Sequence, residues 1–94
     1  MNMKKTFQYE FDDEPKKRNI SFDLSGQERL IVENAPGTTL FVNRAACQAL
    51  AKIFAQMAMC DYANGFHIHL QKDINSENND DVLTICLSTD MKEA

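Results

Sequence analysis

Ninety-four residues leave room for one domain with one core, and 44% apolar content with six Phe and no Trp can bury roughly 60 to 65% of the unfolded surface. A chain of this size reaches a stability of about 5 to 9 kcal/mol, and it builds a binding surface more readily than a deep catalytic cleft. Fourteen acidic against ten basic residues give a net charge of −4, with the basic residues scattered or confined to Lys4-Lys5 and Lys16-Lys17-Arg18, which argues against nucleic acid as a direct ligand.

That acidity suits either plain solvation or a basic protein partner. The Met-Asn-Met-Lys-Lys start is followed by residues 6–10, which alternate and contain no continuous apolar run, so neither a signal peptide nor a membrane span is expected and the chain should be cytoplasmic. Three widely spaced cysteines, Cys47, Cys60 and Cys86, without a Cys-x-x-Cys pair, fit reduced thiols. Cys47 is expected in the core of a helix.

Phe7, Tyr9 and Phe11 alternate with polar residues, as do Ile20, Phe22 and Leu24, which predicts two strands with one apolar face each. Residues 13–18, with Pro15 and five charges, form the turn of this first hairpin. Leu30 and Val32 mark a third strand, Asn34-Ala35-Pro36-Gly37 a tight turn, and residues 38–42 a fourth strand. At Asn43 the period changes to about 3.6. An amphipathic helix is predicted over about 43–63, capped by Asn43 and ended by Asn64-Gly65. Its core stripe is Ala46, Leu50, Ile53, Phe54 and Met57, flanked by small alanines, with Gln48, Lys52 and Gln56 on the opposite face. Phe66, Ile68 and Leu70, then Leu83, Ile85 and Leu87, alternate as two last strands. Between them residues 73–81 read as an exposed hairpin loop, and residues 89–94 as a tail. The expected fold is α+β, ββββαββ, with an antiparallel sheet of about six strands and one long helix covering one face of it.

Period-two geometry puts His67 and His69 on one face of their strand, and Cys86 on the same outer face of the neighbouring strand. A metal site from His67, His69 and Cys86, or with Asp73 in place of the thiol, is sterically conceivable. Half-exposed polar residues of a solvated face are the more usual reading of such a pair. Glu10, Asp12, Asp23 and Glu33 alternate onto the polar side of their strands, so a row of carboxylates should face away from the helix, either solvated or as a docking surface for a cationic partner. No two carboxylates are set together by one element for acid–base work, and Gly26, Gly37 and Gly65 stand alone, without a phosphate-binding loop. No cofactor is implied. Met59 lies off the core stripe, where it could meet a second copy in a homodimer.

Asn43 opening a helix, the Leu50-Ala51 step within it, and then Gly65-Phe66-His67-Ile68-His69-Leu70 resemble the pattern of a family of small bacterial immunity proteins from polymorphic toxin systems, immunity family thirty-two. The strand 83–87 closes that pattern, while Leu24-Ser25-Gly26 and Leu30-Ile31-Val32-Glu33 resemble its early strand. The resemblance covers roughly the last seventy residues. Val42 stands where the pattern has glycine and Gln71 where it has an acid, as in a divergent member. The resemblance implies a non-enzymatic protein that binds and neutralises a cognate toxin, often a nuclease, with His67, His69, Glu10, Asp12, Asp23, Glu33 and Asp73 as candidate contacts. A small metal-binding protein or metalloenzyme on His67 and His69, or a homo-oligomeric scaffold module, are the alternatives.

Overall fold

The computed structural model describes residues 3–13, 20–70 and 83–91. Its elements are β1 (Leu30–Glu33), β2 (Thr39–Val42), α1 (Arg44–Met59), β3 (His67–His69) and β4 (Thr84–Cys86). The α+β class is as expected. The sheet is not: in place of one sheet of about six strands, the described residues form two separate two-stranded antiparallel sheets, β1–β2 and β3–β4.

The first sheet sets Leu30 against Val42, Ile31 against Phe41, Val32 against Leu40 and Glu33 against Thr39. Leu30 and Val32 point inward and are buried, while Phe41 stays 51% exposed on the other face, which is the period-two pattern of a sheet with one wet side. The turn over 34–37 includes a cis Ala35–Pro36 bond. In the second sheet His67 faces Cys86, Ile68 faces Ile85 and His69 faces Thr84. Backbone bonds carry the pairing beyond the strand ends: Leu70 N–H donates to Leu83 C=O (3.0 Å), Leu87 N–H to Phe66 C=O (2.7 Å) and Gly65 N–H to Leu87 C=O (2.9 Å). Gly65 turns the chain into β3 with φ +92°, a conformation that glycine adopts without the Cβ penalty.

Asn43 begins α1. Its Oδ1 accepts from the N–H of Ala46 at 2.9 Å and from that of Arg29 at 3.1 Å, its Nδ2 donates to Gln27 C=O at 2.9 Å, and its own N–H donates to Arg29 C=O at 3.1 Å. One side chain thus caps a helix that would otherwise leave its first N–H groups unpaired, and pins the residues leading into β1 beside that cap. The helix ends at Met59, four residues short of the expected end, and the backbone at Cys60 is extended. Continued helix would carry Tyr62 about 140° round from Met57, off the core face. Broken there, the chain instead buries Tyr62 and stacks its ring on Phe66 at 4.3 Å.

Leu50, Ile53 and Met57 of α1 meet Leu30 of β1, Ile68 of β3 and Leu70 in one core, with Ile20, Phe22, Leu40, Phe66, Leu83, Ile85 and Leu87 packed half-buried around it. Each fully buried aliphatic side chain contributes about 1.5 to 3 kcal/mol, so this cluster is the main source of stability. The buried face of α1 is Ala46, Ala49, Leu50, Ile53, Gln56 and Met57. It is rotated by about 40° from the predicted stripe, which exposes Phe54 (43%) and buries Gln56 (3%). Cys47, expected in the core, is exposed.

That rotation and the missing first hairpin have one cause. Residues 7–11 and 20–24 form no strand; the N-terminal segments lie against α1. Gln56 Oε1 accepts from Ser21 N–H at 2.9 Å, and its Nε2 donates to Ser21 C=O at 2.8 Å and to the Tyr9 hydroxyl at 3.1 Å. One turn earlier, Lys52 pairs with Asp23 at 3.0 Å and sits 5.6 Å from the centre of the Tyr9 ring. Two residues of extended chain, about 6.6 Å, roughly match the 5.4 Å helical turn between Lys52 and Gln56, so residues 21–23 run antiparallel along the helix. A side-chain amide takes the backbone groups that a neighbouring strand would have taken. The expected turn at 13–18 falls, apart from Asp13, outside the described residues, as do the loop 73–81 and residues 92–94 of the tail.

Candidate functional site

On β3, alternation sends Ile68 inward and leaves His67 exposed and His69 half-buried on the outer face. The imidazoles stand edge to face, 4.9 Å apart. His67 Nδ1 lies 3.1 Å from Gly65 C=O, an oxygen that only accepts, so Nδ1 is the donor of that bond. His69 Nδ1 is 3.2 Å from Thr84 Oγ1 across the sheet. Cys86, exposed and opposite His67, turns its thiol toward Leu87 C=O at 3.8 Å. The three side chains share a face as expected, but each is engaged with a separate backbone or hydroxyl group. Among the described residues no group of three or more His, Cys, Asp or Glu is placed to hold a metal ion. Asp73, the alternative ligand and candidate contact, lies outside the described residues.

The predicted row of carboxylates on one sheet face does not form, because two of the strands that would carry it are not strands. Asp23 is held by Lys52, an exposed pair of the kind that contributes about 0 to 1 kcal/mol. Glu33 ends β1, exposed, on the first sheet. Glu10 and Asp12 are brought together elsewhere: with Tyr9, Phe11, Asp13, Met59 and Cys60 they line an open cavity of about 710 Å³ between the N-terminal segment and the end of α1. The Tyr9 and Phe11 rings are 5.4 Å apart and tilted by 31°. Met59 is 74% exposed at the rim. No hydrogen bond or ion pair engages the carboxylates of Glu10, Asp12 or Asp13 among the described residues. The last turn of α1, which ends at this cavity, has no basic residue, so its free carbonyls add partial negative charge there.

Two polar residues that position these elements carry no sequence motif. Gln56 holds Tyr9 and the backbone of Ser21, and so places one wall of the cavity. Glu28 is buried beside β1, and its carboxylate accepts from Ser25 N–H (2.7 Å), Ser25 Oγ–H (3.0 Å) and Gly26 N–H (2.9 Å). The bond from the Ser25 backbone, helped by the others against the cost of burial, holds the Glu28 carboxyl below the ordinary glutamate value. Its signal is faint in the sequence: a Ser-Gly turn followed two residues later by an acid that can close it.

Comparison with protein-family models, with curated proteins and with solved structures returns no match. Among the described residues, no helix is long and apolar enough to cross a membrane.

Proposed function

We propose that this chain is a non-enzymatic binding protein of the immunity type, one domain that captures a cognate bacterial toxin and occludes it. The observation that carries this reading is the set of exposed carboxylates, Glu10, Asp12, Asp13 and Glu33, that the chain leaves without partners of its own among the described residues. With a net charge of −4, such a surface attracts a basic protein over a distance set by the salt, and speeds encounter more than it tightens the complex. A basic nuclease is the toxin this charge fits best.

The resemblance to immunity family thirty-two supports the same reading. Its matching residues turn out to be builders of the scaffold: Asn43 caps α1, Leu50, Ile68 and Leu70 fill the core, and Gly65 makes the turn into β3. Partner choice then rests on the outward side chains, among them His67 and His69 of the same motif. Three free cysteines suit action in the cytoplasm. The test is co-expression with the product of the neighbouring gene, followed by chromatography and a toxicity assay. A stable complex that restores growth is expected; a neighbouring product that neither binds nor harms the cell overturns the reading.

A further inference from the structure

The cavity at the end of α1 combines two kinds of wall. Tyr9 and Phe11, both half-buried, supply aromatic surface and Met59 thioether surface, and Met59 is among the most exposed apolar residues. Around them stand Glu10, Asp12 and Asp13. The volume falls in the range of about 300 to 1,000 Å³ typical of ligand sites. An apolar occupant would have to desolvate three carboxylates without giving them a partner, which costs more than ring contact returns. An anion would be repelled by those carboxylates and by the carbonyl end of the helix. A cation satisfies both walls.

The chain already contains a small version of that contact. Lys52 sits 5.6 Å from the Tyr9 ring centre while it pairs with Asp23 at 3.0 Å, so one cation is shared by a ring and a carboxylate beside the cavity. Arginine suits these walls better than lysine, because its flat guanidinium stacks on a ring and presents two parallel N–H groups to one carboxylate. We propose that the cavity lined by Tyr9, Phe11, Asp12, Asp13 and Met59 is the receptor for an arginine side chain of a basic protein partner. This rests on the reading of the chain as a binder of such a partner, and it moves the centre of the interface from the β3–β4 face to the N-terminal segment and the end of α1.

The probe is the capped peptide acetyl-Gly-Arg-Gly-amide, titrated into isotopically labelled protein, with the Lys and Gln versions as controls. Amide shifts at residues 9–13 and 59–60 should saturate at millimolar peptide, with the Arg peptide about threefold tighter than Lys and the Gln peptide silent. Phe11→Ala and the double change Asp12→Asn, Asp13→Asn should each weaken the Arg peptide about threefold or more, while the core signals of Ile53 and Ile68 stay in place and report an intact fold. Shifts spread equally over Glu33 and Asp61, or binding untouched by both variants, overturn the proposal. The toxin reading fails separately. If the neighbouring gene product binds the Phe11 and Asp12/Asp13 variants as well as the parent, the cavity proposal falls and the immunity reading stands. If the peptide maps to the cavity and no toxin binds, the reverse holds.

Discussion

Replacing Gln56 by Ala tests the contact that sets the N-terminal segment against α1. The substitution removes three hydrogen bonds, two to the Ser21 backbone at 2.9 and 2.8 Å and one to the Tyr9 hydroxyl at 3.1 Å. At about 1 kcal/mol net per bond the ceiling is about 3 kcal/mol. Ser21 is exposed, so its freed N–H and C=O can turn to water, and the expected loss is about 2 kcal/mol. For a chain of this length that lowers the melting temperature by about 8 to 16 °C. Urea denaturation gives the free energy, and amide exchange gives the location: the Ser21 amide should lose its protection while those of β3 keep theirs. A loss below about 0.5 kcal/mol, the level of an ordinary surface change, with Ser21 exchange unaltered, refutes the clasp.

Asn43→Ala should cost about 1 to 2 kcal/mol by uncapping α1, whereas Asn43→Asp, which keeps the acceptor for Ala46 but loses the bond to Gln27, should cost less; thermal melts followed by circular dichroism separate them. Because the Glu28 carboxyl is held below its ordinary value of about 4.5, its contribution is complete above that pH and is lost as the pH falls through the lower folded-state value. Glu28→Gln should therefore destabilise at neutral pH and flatten the acid limb of a stability-against-pH curve; two parallel curves would contradict the assignment. Ile53→Ala should cost about 2 to 5 kcal/mol and its neighbour Phe54→Ala under about 1 kcal/mol, an order that chemical denaturation can check and that the sequence stripe, with both in the core, does not give.

What the sequence made legible was local. Asn43 caps through bonds only three residues away, and the alternation of 66–70 with 83–87 reports one buried face of a hairpin. The misreadings concern partners distant in the chain. Period two in residues 7–11 and 20–24 marks extended backbone with one apolar side, and says nothing of what takes its N–H and C=O groups. Here a glutamine of the helix does so at Ser21, which no pattern in either segment announces. Periodicity alone puts Gln56 on the solvent side, because burial of an amide depends on that distant match. The same limit applies to the candidate site: alternation puts Glu10, Asp12, Asp23 and Glu33 on one sheet face, whereas without the first two strands Glu10 and Asp12 line a cavity with Asp13 and Met59, apart from Asp23 and Glu33. His67 and His69 do share one outer face, as the alternation required.

Binding to the product of the neighbouring gene, measured calorimetrically at low and at high salt with the parent and the Asp12→Asn, Asp13→Asn variant, tests the central claim most directly. The account predicts a one-to-one complex that weakens as salt rises, and a variant that binds more weakly at low salt and responds less to added salt. Absence of binding, or an affinity indifferent to both salt and the two substitutions, would contradict it.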